Sequence, residues 1–158
     1  MVKYSDAEIN NLINEPKPLP LGWQSRIQFR EVRLSKQGDF SVQGNNGNQF
    51  QVVLRQNLLN ELDFAIILGI YPSGSNKLFR LKRYDGKVQE HTNPIEKERF
   101  YNFHIHTATE RYQNYGNGEE DKYAQQTDRF TNYGEALYCM IKDCAFILPN
   151  HPQLELFS

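Results

Sequence analysis

Histidines two residues apart can act together when they share a face, and the stretch Arg99 to Phe130, RFYNFHIHTATERYQNYGNGEEDKYAQQTDRF, carries such a pair in His104 and His106. Read as a strand, Tyr101 to Thr107 turns Tyr101, Phe103 and Ile105 to the core and Asn102, His104 and His106 to the other side, because side chains alternate. Two imidazoles on one face then stand about 7 Å apart, twice the rise per residue.

Three uses follow from the chemistry of the pair. In the first, one histidine takes a proton from a nucleophile and the other protonates a leaving group, while Arg80, Arg83 or Arg111 stabilises charge on a phosphoryl centre. Such a histidine-based phosphodiesterase needs no metal, and RNA suits it because the 2′-hydroxyl is an internal nucleophile. In the second, His104 and His106 hold a divalent metal with carboxylates from Glu110, Asp121 or Asp128. In the third, both rings are hydrogen-bonded structural groups and the chain is a binding or antitoxin-like module.

The elements that must position the pair are legible as an α+β pattern. Ser5-Asp6-Ala7-Glu8 is a capping box that opens a short helix with Ile9, Leu12 and Ile13 on one stripe, ended by Pro16. Lys17 to Gln24 contains two prolines and predicts an extended connector with Trp23 as a packing anchor. From Arg26 to Arg55 the period is two: Ile27 and Phe29, then Phe40 and Val42, then Phe50, Val52 and Leu54. Gly44 to Asn48 supplies a hairpin turn.

Gln56 to Leu62 suits a helical turn, and Phe64 to Tyr71, FAIILGIY, suits a strand covered on both faces at the centre of the sheet. Alternation along Lys77 to Tyr84 puts Leu78, Arg80, Lys82 and Tyr84 on one face and Phe79, Leu81 and Arg83 on the other. Its cations, with Lys87, form a candidate phosphate-binding patch in which Arg80, Lys82 and Arg83 are substrate residues, and Tyr112, Tyr115 and Tyr123 could stack on bases. Glu119-Glu120-Asp121 reads as a helix N-terminus. Asn132 caps a helix from Tyr133 to about Ala145 with Leu137, Met140, Ile141 and Cys144 buried. The expected fold is therefore α+β, a mainly antiparallel sheet with N-terminal and C-terminal helices, formed by residues 1–148 as one domain with a tail at 149–158.

Composition excludes some classes. A chain of 158 residues with 39% hydrophobic and 23% charged residues can bury a core as one domain, and its net charge of −1 means any nucleic-acid contact must be local. No apolar run is long enough for a membrane helix, and MVKYSDAEIN lacks a secretory signal, so a cytoplasmic protein with no membrane partner is expected. Cys139 and Cys144, five apart on one helix, point away from each other and read as reduced, packed thiols.

Two partial resemblances bear on the histidines. His104-x-His106-x-x-x-Glu110 resembles part of the first metal motif of cupin barrels, without the glycine before the first histidine and without a second motif. Phe79-Arg80-Leu81-x-Arg83-Tyr84-Asp85-Gly86, His91-x-Asn93-Pro94, His104-x-His106 and Asp121-Lys122-Tyr123-Ala124 together resemble the pattern of an uncharacterised bacterial domain family. They are more loosely similar to histidine-rich toxins of the TumE type. That resemblance implies a bacterial protein of a toxin-antitoxin or defence setting, with His91, His104 and His106 as candidate active residues.

The tail carries a different signal. Gln153-Leu154-Glu155-Leu156-Phe157 is similar to the glutamine-leucine-x-leucine-phenylalanine peptide with which bacterial replication and repair proteins bind the DNA sliding clamp. In that mode Gln153 hydrogen-bonds beside an apolar pocket that receives Leu156 and Phe157, with Leu154 a further partner-binding residue. The resulting expectation is an effector recruited to the clamp and acting on replication or nucleic acid. The alternatives are a histidine-dependent or metal-dependent enzyme with a structural tail, and the binding module.

Overall fold

The computed structural model describes residues 2–149. The expected clamp peptide at Gln153 to Phe157 lies outside them. In chain order the elements are α1 (Asp6–Asn14), β1 (Lys17–Pro18), a 3-10 turn (Trp23–Arg26), β2 (Arg30–Val32), β3 (Ser35–Gln43), β4 (Gln49–Asn57), β5 (Phe64–Ile70) and β6 (Phe79–Asp85). They continue with β7 (His91–Asn93), β8 (Glu98–Phe100), β9 (His104–Thr107), α2 (Glu110–Gln113), β10 (Ala124–Gln126), α3 (Tyr133–Asp143) and β11 (Phe146–Ile147). An α+β fold built on a mainly antiparallel sheet, with a helix near each end, is what the chain forms.

Seven strands make the main sheet in the order β10-β9-β6-β5-β4-β3-β2, every adjacent pair antiparallel. The FAIILGIY strand is β5, fourth of the seven and buried along nearly its whole length. One sheet face carries Val42, Phe50, Val52, Leu54, Ile66, Leu68 and Tyr84 into the core, where α1 brings Ile9 and Ile13 and α3 brings Ala136 and Met140. Each such side chain contributes roughly 1.5–3 kcal/mol by leaving water. Two small pairs complete the fold: β1 lies parallel to β11, and β7 pairs with β8 as a hairpin.

Local signals produced the helix ends. Ser5 Oγ accepts from Glu8 N while Glu8 Oε1 accepts from Ser5 N, the reciprocal capping box. Asn132 Oδ1 accepts from Glu135 N at the start of α3. Cys139 and Cys144 are buried and free, and Trp23 is buried as an anchor.

Several expectations are corrected. Ile27 and Phe29 lie outside the strands, because the 3-10 turn and the loop after it take that segment and leave Phe29 exposed. Gln56 to Leu62 is not helical: β4 runs on to Asn57, whose side chain accepts from Leu59 N and Asn60 N and turns the chain. Glu120 and Asp121 sit in a turn rather than a helix, drawn in by arginines. Tyr101 is 54% exposed, with its hydroxyl donated to Val88 O, rather than in the core.

The correction that matters most lies in β6. Leu68 pairs with Lys82 but Gly69 pairs with Arg80, so Leu81 is an extra residue and β6 bulges there. The bulge reverses the alternation. Beyond it Lys82 and Tyr84 lie on the core face, opposite Leu68 and Ile66, while Arg83 and Asp85 join Arg80 on the other face. The basic strand thereby delivers two guanidiniums and one carboxylate to the face that carries the histidines.

Candidate metal centre

The site is built on the sheet face away from the helices. Antiparallel pairing aligns one row across four strand boundaries, Arg55, Ala65, Asp85, His104 and Gln126, and beside it a second row, Val53, Ile67, Arg83, His106 and Ala124. Asp85 therefore faces His104 directly and Arg83 faces His106. Gly86 closes β6 against the backbone of β5: a Cβ there would come within 1.8 Å of Leu62 O, so only glycine permits the approach that holds Asp85 in place.

The β7–β8 hairpin adds the third imidazole. Buried Asn93 donates through Nδ2 to Ala124 O at 2.7 Å and accepts at Oδ1 from Ala124 N at 3.0 Å, which fixes the hairpin to β10 and fixes which way the amide points. Arg111 and Tyr112 on α2 hold its turn, Arg111 through Glu96 and Tyr112 by giving its hydroxyl to Glu96 at 2.6 Å and accepting from Ile95 N at 3.1 Å. As a result the His91 ring stacks on His104, with centroids 5.2 Å apart, and meets His106 edge-on at 4.9 Å. Together with Arg55, Asp63 and Lys122 these groups line a cleft of about 540 Å³.

Each ring commits one nitrogen to an oxygen acceptor of the protein. His104 Nδ1 donates to Asn102 O at 2.8 Å and His106 Nδ1 to Asp121 O at 2.7 Å. His91 Nε2 donates to Asn93 Oδ1 at 2.7 Å, since that oxygen can only accept. With the rings neutral, Nε2 of His104 and Nδ1 of His91 keep a lone pair, while that of buried His106 Nε2 accepts from Arg83 Nη2 at 3.0 Å. Burial lowers the pKa of His91, against the Asn93 hydrogen bond, and burial likewise lowers that of His106, so the neutral ligand form is favoured in both. Among the described residues these three histidines are a group whose ligand atoms, one from each, all lie within 4.8 Å of one another.

Asp85 adjoins two of these rings, although the group of mutually close ligand atoms is the three histidines. Its Oδ2 lies 3.4 Å from His104 Nε2 and 3.3 Å from His106 Nε2. A zinc ion with bonds of about 2.0–2.1 Å spaces tetrahedral ligands about 3.4 Å apart, the edge these atoms already have. Burial pushes the Asp85 carboxyl up, but its contacts with His104, His106 and Arg83 prevail and hold it well below the ordinary carboxylate range. It is an anion.

Charge and hydrogen bonding around the set also fit a cation. Arg80 reaches Glu120 at 3.4 Å and Asp121 at 3.2 Å, and Arg83 reaches Asp85 at 3.2 Å and Asp121 at 3.6 Å, so two guanidiniums meet three carboxylates. Among the described residues the buried Arg83 Nε, Asp85 Oδ1 and Asp121 Oδ2 atoms make no aligned hydrogen bond and are held by ion pairing, Arg83 Nε with Asp85 Oδ1 and Arg83 Nη1 with Asp121 Oδ2. Arg83 Nη2 donates to His106 Nε2 at 3.0 Å, which makes the guanidinium the group a metal would displace there. The residues fit a metal, with backbone and amide acceptors orienting every ring as outer-shell partners do.

Of the residues singled out in the sequence, the structure brings His91, His104, His106 and Arg83 to the cleft. Arg111 and Tyr112 support the hairpin instead. Lys82 lies on the core face with its Nζ 3.3 Å from Thr107 Oγ1, and Arg80 is engaged by Glu120 and Asp121. Glu110 accepts from Asp6 N at 2.7 Å, at the start of α2, so it is not among the grouped ligands. Asp121 serves through its backbone carbonyl and its arginine contacts. Sequence reading missed Asp85 and Asn93 as functional groups. An arginine-x-aspartate pair ahead of a histidine-x-histidine strand was the available signal, and it becomes informative only once the two strands are known to pair.

Compared with protein-family models, with curated proteins and with solved structures, the chain matches none. The site is therefore read from its own geometry.

Proposed function

We propose that this chain is a metal-dependent hydrolase whose ion is held by His91, His104, His106 and Asp85. One observation supports the reading: His91, His104 and His106 bring one ligand atom each within 4.8 Å of one another, and Asp85 Oδ2 stands 3.4 and 3.3 Å from Nε2 of His104 and His106. Bound there, a zinc or similar ion supplies Lewis acidity toward an ester or phosphoryl oxygen and toward water. Arg83, already in the cleft, adds positive charge where negative charge develops. Hydrolysis adds one water: its oxygen bonds to the reacting centre, the bond to the leaving oxygen breaks, and the leaving oxygen takes up a proton.

Titration of the metal-free protein with zinc and with manganese, followed by calorimetry and by assay on a phosphodiester panel, tests this. One equivalent per chain is expected, with binding weaker in Asp85→Asn by more than the ~10–100-fold that loss of an outer-shell partner costs, and activity lost to a chelator and restored by metal. Activity that survives chelation would instead favour histidine acid-base catalysis, and an absence of stoichiometric uptake would sink the metal reading.

A second reading is favoured by the peptide Gln153 to Phe157 alone, namely recruitment of this enzyme to the sliding clamp. It expects the last eight residues, as a peptide, to bind purified bacterial clamp and Gln153→Ala with Phe157→Ala to abolish that binding.

A further inference from the structure

Beside the cleft lies a second, smaller hollow of about 150 Å³, lined by Tyr112, Tyr115, Gly116, Asn117, Glu119 and Lys122. Lys122 lines both spaces. Its side chain is 38% exposed and its ammonium meets Glu119 only at 3.9 Å, so it is a cation with spare capacity between two cavities. Tyr115 is 45% exposed and its ring meets Tyr112 edge-on at 5.7 Å, leaving a face free. The ring stands on a tight loop: Tyr115 N donates to Tyr112 O, Gly118 N donates to Tyr115 O, and Gly116 and Gly118 supply the positive φ that such a turn needs.

We infer that the substrate of the proposed metal centre is a nucleotide-type phosphoester whose phosphate lies at Lys122 and whose base stacks on Tyr115. This rests on the hydrolase reading for the position of the reacting phosphoryl group. Each part of such a ligand meets a matching group. An aromatic face accepts any base by stacking, the ammonium meets the phosphate as a point charge, and the adjoining cleft holds the ligand set for the ion. Asn117 and Glu119 also line the smaller hollow, and an amide and an acceptor anion suit a base that carries an exocyclic amino group. Lys122 lines the metal-side cleft as well as the hollow, which sets the phosphate on that side and the base in the hollow.

The probes are adenosine 5′-monophosphate and ribose 5-phosphate, which share sugar and phosphate and differ by the base, titrated into zinc-supplemented protein whose metal content is measured on the same sample. The nucleotide is expected to bind about tenfold more tightly, by the worth of one stacked base. Tyr115→Ala should erase that difference, and Lys122→Gln should weaken both ligands. Both side chains are surface groups, and circular dichroism of each variant confirms folding. Equal affinity for the two ligands, or a preference that persists in Tyr115→Ala, overturns the assignment even when one equivalent of metal is bound. Preference without metal uptake keeps the nucleotide pocket and removes the hydrolase reading instead.

Discussion

Asn93 shows how much one buried amide can decide. Its Oδ1 takes hydrogen bonds from both Ala124 N and His91 Nε2, and its Nδ2 gives them to Ala124 O and, at 3.1 Å, to Glu98 Oε1. It therefore sets the His91 tautomer and fastens the hairpin that carries His91. Asn93→Ala is expected to weaken zinc binding about 10–100-fold, the usual consequence of losing an outer-shell partner. Competition against a chromophoric chelator measures it. Affinity within twofold of the wild type would show that the hairpin and His91 do not contribute to the ion's binding.

At the scale of elements, the end of α3 is fastened to the sheet through one carboxylate. Asp143 accepts from Tyr84 Oη at 2.7 Å and from Arg129 at 2.9 and 2.7 Å, tying α3, β6 and the segment after β10 together. Burial pushes the Asp143 carboxyl up, but the Arg129 and Tyr84 hydrogen bonds outweigh it and hold it below its ordinary value. A carboxylate with a folded pKa below its unfolded one stabilises the fold above the unfolded value, near 3.9, and that stability is lost as pH falls through the folded pKa. Asp143→Asn should thus cost about 1–2 kcal/mol at pH 7, a figure discounted because Arg129 is half-exposed. It should also flatten the acid end of the stability curve. Urea denaturation at pH 7 and at pH 3 reads both, and an equal loss at the two values would contradict the assignment. Lys17 performs a related task without a carboxylate: its buried ammonium donates to the carbonyls of Leu12, Ile13, Glu15 and Cys144, joining the C-terminal ends of α1 and α3.

For the whole molecule, the proposed metal ligands come from β6, β7 and β9, so an ion that binds only the folded chain would cross-link distant parts of the fold. Zinc at 100 times its dissociation constant should stabilise the protein by about 2.7 kcal/mol, which for a chain of this size raises Tm by roughly 5–10 °C. A thermal melt with and without zinc, repeated after chelation and on His106→Ala, measures it. A shift that is as large in His106→Ala would place the stabilising ion elsewhere. No helix among the described residues is long and apolar enough to cross a membrane.

The sequence by itself determined what depends on near neighbours in the chain. The capping box at Ser5, the Asn132 cap, the turn at Gly44 to Asn48 and the doubly covered strand at Phe64 follow from local hydrogen bonding and from a hydrophobic period, and all are present. The shared face of His104 and His106 is local in the same way. Tertiary structure alone decided which acid meets them. The partner was Asp85 rather than Glu110 because a single extra residue at Leu81 reversed the face of β6, and because β9 paired with β6 at the register that sets Asp85 opposite His104. Neither a bulge nor a strand register is written in the spacing of one segment. Both are fixed by the fit of core side chains across strands, where Tyr84 and Leu81 gain burial only if Arg83 and Asp85 turn toward the histidines.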